Sequence, residues 1–276
     1  MPDPRLTPAR PDLAAAHLRG TVQAERFVEG GAAAIIAPSA ALVRRPDPAG
    51  PWETQALYGE AATVYDERDG FAWVQLKRDD YVGYVKVDAL GAATAPTHRV
   101  AALRTHAYPG PNIKLPHRFA LSLGARVAIA AADGDFLIDG KGRHYWAPHL
   151  SRVDSVEPDF VAVAEKFLHA PYLWGGRTSG GIDCSGLMQA ALTAAGIAAP
   201  RDSDLLERLG VALGAQALLR RGDLVFWNGH VGVMRDAQTL LHANGFHMAV
   251  VSEPLAAART RIAASGGGEI SSIRRL

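Results

Sequence analysis

Cys184 is the only cysteine in the chain, and the residues around it prepare a thiol for chemistry. Upstream, Gly175, Gly176, Gly180 and Gly181 form a run that cannot propagate a helix and that lets backbone approach a substrate closely. Downstream, Leu187, Ala190, Ala191 and Ala194 recur at helical spacing, and Gly196 stands where a helix stops. The pattern predicts a helix beginning at or just before Cys184, with Asp183 as its N-cap. A sulfur in that first turn faces unpaired N–H groups and the positive end of the helix dipole. The sequence therefore predicts a thiol pKa lowered from about 8.5 toward neutrality, and a thiolate nucleophile. A lone cysteine is more commonly a small buried hydrophobe, but here a glycine-rich loop, an N-cap and a helix start converge on it.

A cysteine nucleophile needs a base. Leu224 to Trp227 reads as a buried strand, Asn228-Gly229 as a tight turn, and His230 to Met234 as the next strand. Arg235 to Gln238 turns the chain into Thr239 to Ala243, which carries His242. A turn centred on Asp236 would set His230 and His242 directly opposite each other on neighbouring strands. In that arrangement His230 takes the thiol proton and His242 orients its ring. The rate is then expected to fall between pH 8 and 5 as the pair takes up protons.

These stretches resemble the NlpC/p60 cysteine peptidases of bacterial cell-wall peptides, a family with a papain-like fold. The resemblance runs from about Asp154 to Ser252 and rests on the WGG before the cysteine, DCSG at it, PRDS at Pro200 to Ser203, GDLVFW, and GHVGV around His230. It implies Cys184 as nucleophile, His230 as base, His242 as third polar residue, and Tyr172 as a tyrosine beside the oxyanion site. Members often carry a glutamine shortly after PRDS, where this chain has Leu205, Leu206 and Glu207. That departure concerns one pocket wall, not the chemistry.

With 48% hydrophobic residues among 276, the chain can build two or three ordinary domains. Its 29 basic and 28 acidic residues nearly cancel, which argues against a nucleic-acid partner. No stretch approaches the roughly 18 apolar residues of a membrane span, and no secretory signal pattern opens the sequence, so a cytoplasmic location without membrane attachment is expected. The ten histidines include no HExxH and the chain has no CxxC, so neither a metal nor a cofactor is expected.

The elements that must position the site fall into four stretches. Residues 1–30 form an extension in which Leu13 to Arg19 allows a short amphipathic helix. Residues 31–95 alternate in short runs broken by turn residues, as in a small barrel, and DGFAWVQL with YVGYV resembles the bacterial SH3-like domain. Residues 96–152 echo it more loosely: Asp133-Gly134-Asp135-Phe136 answers Asp69-Gly70-Phe71, and Tyr145 to Leu150 answers Tyr84 to Leu90. Residues 153–276 carry the peptidase signals, with Phe160, Val161, Ala164, Phe167 and Leu168 at helical spacing and Glu157-Pro158 as the start. Helical pattern fades after Pro254, and Glu269 to Arg274 allows a final strand. The expected fold is thus an α+β papain-like domain, helices on one side of its sheet, preceded by one or two small all-β SH3-like barrels.

Substrate choice rests on the resemblance. Members with an N-terminal SH3-like domain are similar to γ-D-glutamyl-L-diamino acid endopeptidases, which cut short muropeptides beginning with a free L-Ala. This implies negative and acceptor groups around the substrate amine: Asp183, with Tyr81 and Glu60 from the first barrel, while Ser185 and Ser203 bond the peptide. The reading without chemistry makes Asp183 a plain N-cap and Glu60 a solvated loop charge. Acyl transfer through the same thioester, and a non-catalytic wall-peptide binding module, are the alternative functions.

Overall fold

The computed structural model describes residues 3–214 and 216–276. Asp69 and Gly70 take φ of 52° and 75°, the conformation that a two-residue hairpin loop requires, and they join strands Ala61–Arg68 and Phe71–Leu76. That hairpin sits inside a seven-stranded sheet, which runs Trp52–Leu57, Ser39–Val43, Val82–Lys86, Phe71–Leu76, Ala61–Arg68, Gly31–Ile35, Leu90–Gly91. Ile35, Leu42, Ala56, Val74, Leu76, Tyr81 and Val85 form its core.

A second apolar cluster follows, built from Leu57, Tyr58, Val100, Ala107, Leu121, Val127, Tyr145 and Leu150. Three short antiparallel sheets surround it, over residues from His98 to Arg152. The echo seen in sequence has a structural counterpart. In each copy a strand runs into one 3-10 turn, Val87–Ala89 or Ala147–His149, and then a short strand, Leu90–Gly91 or Leu150–Arg152. The extension differs from expectation. Leu13–Ala15 is a strand paired in parallel with Arg26–Val28, and only Ala16–Leu18 makes a 3-10 turn. All three residues of Leu13–Ala15 are buried, Leu13 against Val43, Phe71, Trp73 and Tyr84, so no amphipathic helix forms.

The chain divides into two compact units, one ending at Ser155 and one beginning at Val156. The second unit opens with α1, Phe160–Glu165, capped by Asp159, whose carboxylate accepts from the N–H groups of Val161 and Ala162. Next come α2, Cys184–Ala194, and the short α3, Ser203–Leu206. Its sheet runs Val211–Ala212, Ser272–Arg275, Leu224–Trp227, His230–Met234, Thr239–Asn244, Ala249–Pro254. Pro254 begins a further helix, α4, Leu255–Ala264. The sequence hid it because its buried side is narrow: only Ala258 is fully buried, with Leu255 and Ile262 in part. That helix packs on the sheet face carrying Val225, Trp227, Met234 and Leu240. Their neighbours Leu224, Phe226, Val231, Val233 and Leu241 point the other way and are equally buried, so both faces are covered and the expected one-sided arrangement is wrong. Meanwhile α2 packs against α1 and the strand His230–Met234.

Candidate active site

The start of α2 is built by three features. Gly175, at φ 71°, turns the chain beneath the cysteine. Gly186 lies against the carbonyl of Gly176 so closely that a Cβ there would overlap it. Asp183 then caps the helix, one oxygen accepting from the Gly186 N–H at 2.7 Å. Its other oxygen accepts from the Gly175 N–H at 2.9 Å and from Arg201 at 2.6 Å. Ser185 Oγ accepts from the same guanidinium at 2.7 Å, and lies 3.4 Å from Asp183 Oδ1 as donor. The glycine loop, the cap and the PRDS segment are thereby tied into one buried cluster.

Cys184 heads this helix and is only 7% exposed. Its side chain receives hydrogen bonds from the backbone N–H groups of Ser185 and of Val231, the residue after His230. His230 Nε2 and His242 Nδ1 lie 2.8 Å apart, rings crossing at 62°. His242 is fully buried, and its Nε2 faces Glu253 Oε1 at 2.7 Å and Asn244 Nδ2 at 3.0 Å. Arg261, from α4, holds both oxygens of Glu253 at 2.6 Å. Trp227 walls the other side of His230, ring centroids 5.7 Å apart.

The register between the two histidine strands differs from the sequence expectation. Val233 pairs with Leu241 and Met234 with Leu240, which centres the turn one residue beyond Asp236. His242 therefore lies opposite Gly232 rather than His230, and the two imidazoles meet along a diagonal on the same face.

Residues 169–263 match the NlpC/P60 family, and residues 42–90 match the bacterial dipeptidyl-peptidase SH3 domain. The C-terminal unit is an NlpC/P60 domain. The gamma-D-glutamyl-L-lysine dipeptidyl-peptidase of Bacillus cereus is 26% identical over 202 residues, 63% of this chain and 60% of that protein. Dipeptidyl-peptidase 6 of Lysinibacillus sphaericus is 31% identical over 122 residues, 42% of this chain and 44% of that one. The chain thus spans less than two thirds of either relative's length. A crystal structure of an NlpC/P60 family protein from Bacillus cereus ATCC 10987 superposes with a TM-score of 0.74 at 22% identity, covering 89% of this chain and 99% of that one. That likeness extends the shared fold across both units.

Within the NlpC/P60 unit the electrostatics run against one expectation. Burial pushes the Cys184 thiol up to about 11, and the Asp183 charge adds to it. The N–H groups of Val231 and Ser185 pull the other way and do not prevail. The helix end supplies only about half a positive charge, and a cap carboxylate sits beside it. Burial, then His242 and Arg261, pushes His230 down to about 3. The resting site therefore holds a neutral thiol and a neutral imidazole, and a thiolate arises only as His230 takes the proton. Such a base stays unprotonated through pH 5, so the acid fall expected between pH 8 and 5 moves lower.

Tyr172 is brought to the cysteine by backbone: its N–H donates to the Met248 carbonyl at 2.9 Å, and it bridges Ile182. Burial, followed by the charges of Cys184 and Asp183, raises its hydroxyl pKa, so it stays protonated and able to donate. Asp183 and Ser185 lie at the site but are spent on the cap and on Arg201, with four donors on the one carboxylate. Ser203 begins α3, partly exposed. Tyr81 and Glu60 belong to the N-terminal unit, where Tyr81 joins the barrel core. Glu60 is not a solvated loop charge: it is buried, accepts from the Leu57 N–H at 3.0 Å and pairs with Arg78 at 2.9 Å. Among the described residues no group of His, Cys, Asp and Glu could hold a metal ion, and no helix is long and apolar enough to cross a membrane.

Sequence reasoning missed Arg201, Asn244, Glu253 and Arg261. Arg201 was within reach, because an arginine inside the PRDS motif needs a buried acid and Asp183 is the acid beside the nucleophile. Glu253 and Arg261 carried no signal, since they meet only after the strand Ala249–Pro254 turns into an unrecognised helix.

Proposed function

We propose that this chain is a cysteine peptidase hydrolysing the bond between γ-D-Glu and the diamino acid in short peptidoglycan-derived peptides that begin with a free L-Ala. The observation that carries the reading is the 2.8 Å contact between His230 Nε2 and His242 Nδ1, on the strand whose Val231 N–H bonds the Cys184 side chain. The name of the Bacillus cereus relative supports the choice of bond. His230 takes the thiol proton as sulfur attacks the carbonyl carbon. The Cys184 N–H and the Tyr172 hydroxyl receive the oxyanion, a role worth about 2.7–4 kcal/mol per donor. Collapse expels the diamino acid amine, which takes its proton from His230. Water, deprotonated by the same ring, then cleaves the thioester and frees Cys184.

The amine end of the substrate calls for acceptors. Ser203 is proposed as one such acceptor on the family resemblance. Because the Asp183 oxygens already serve four donors, that residue shapes the pocket chiefly through Arg201 and the helix cap. A pocket closed around a free amine admits released peptides and excludes cross-linked wall, which fits a role in peptide recycling within the cytoplasm. The test is incubation with L-Ala-γ-D-Glu-diaminopimelate and its N-acetylated form, with and without an acceptor amine, Cys184→Ala serving as control. The expected result is cleavage of the free peptide alone. Equal cleavage of both refutes the amine pocket, and product formed only with the acceptor refutes hydrolysis.

A further inference from the structure

We propose that Glu253 is the positioning residue that leaves His230 Nδ1 bare to act as the base, by holding the proton of His242 on Nε2 against a competing donor, Asn244. The proposal deepens the peptidase reading and rests on it for its consequence, though not for its geometry. Each neutral imidazole carries one proton on two nitrogens, so the contact between His230 Nε2 and His242 Nδ1 allows two self-consistent arrangements. In the first, His242 keeps its proton on Nε2 and donates it to Glu253. Its Nδ1 then accepts from His230 Nε2, and His230 Nδ1 is a bare lone pair able to take the thiol proton. In the second, Asn244 donates to His242 Nε2, His242 donates from Nδ1 to His230 Nε2, and His230 Nδ1 carries a proton. The second arrangement has no base.

The groups around His242 Nε2 decide between them. Asn244 cannot turn its amide round, because its Oδ1 accepts from the His247 N–H at 2.9 Å; its NH2 therefore faces His242 at 3.0 Å and favours the inactive arrangement. Opposing it is a carboxylate oxygen at 2.7 Å, an acceptor that cannot tolerate a lone pair in the same place. Glu253 is kept ionised by two 2.6 Å bonds from Arg261, and its pKa is lowered accordingly. Since Arg261 also cancels the charge, Glu253 selects a tautomer without making His230 strongly basic.

The experiment reads tautomers directly, by long-range 1H–15N correlation on protein labelled in histidine, together with the rate at which iodoacetamide alkylates Cys184. Neither measurement needs a substrate, so failure here is separable from failure of the peptidase reading. In the wild type His242 should be protonated at Nε2 and His230 bare at Nδ1. Finding His242 protonated at Nδ1 overturns the proposal with no variant made. Glu253→Gln should reverse both rings and slow alkylation about 10²-fold or more, as amidation of the orienting carboxylate costs about 10⁴ in the kcat of serine triads. The double variant Glu253→Gln with Asn244→Asp restores an acceptor at His242 Nε2 and should recover the tautomers and most of the rate. A merely structural role predicts no such rescue, and its absence in a folded double variant overturns the proposal.

Discussion

Gly232 lies against His242: a Cβ at position 232 would stand 3.0 Å from the His242 Cβ and 2.8 Å from Leu240 Cδ1. The missing side chain is what lets His242 reach diagonally to His230, so the second glycine in GHVGV serves space and not backbone freedom. Gly232→Ala should displace His242, with an overpacking cost of about 1–3 kcal/mol. Because catalytic geometry is sensitive to shifts of about 1 Å, kcat should fall about 10²-fold with KM nearly unchanged. Steady-state kinetics on the variant would show it, and wild-type kcat would mean that His242 does not orient the base.

The neutral resting pair makes a claim about pH. With the Cys184 thiol raised to about 11 and His230 lowered to about 3, alkylation of the free enzyme by iodoacetamide should climb steadily through pH 8 to 10. A site holding a thiolate and an imidazolium would instead give a plateau from about pH 4 to 8. Such a plateau would show that the helix end outweighs burial after all.

His230 also links stability to pH. Its folded pKa, about 3, lies below the ordinary 6.5, so between these values the unfolded chain binds a proton that the folded one does not. The resulting stability is complete above about pH 6.5 and is lost as pH falls toward 3. The urea midpoint of the C-terminal unit should drop between pH 7 and 4, and His230→Ala should make that drop shallower. An unchanged slope would contradict the buried neutral ring.

Arg201 is 1% exposed and is the buried counter-charge of Asp183. Arg201→Met should cost about 3–5 kcal/mol, because it leaves an uncompensated carboxylate in the interior. Adding Asp183→Asn should return part of that loss, since the charge goes while a cap oxygen remains. A loss below 1 kcal/mol in chemical denaturation would place this pair among contacts of no consequence.

What the sequence determined by itself was local chemistry. A glycine run, an acid and a helical pattern meeting at Cys184 depend on neighbours along the chain, as do the strand and turn signals that carry His230 and His242. The SH3-like region was legible for the same reason, from alternation and an Asp-Gly turn. Tertiary structure decided what depends on distance through space. The register that puts Gly232 opposite His242 follows from how the two strands pair, which turn residues alone fixed only to within one position. Burial of Cys184 and His230 inverted the pKa expected from helix position, because desolvation is a property of the whole enclosure. The partners Arg201, Glu253 and Arg261 come from three separate segments. Only folding brings a strand end and an inconspicuous alanine-rich helix to the far side of His242, where a carboxylate and an amide compete for one nitrogen.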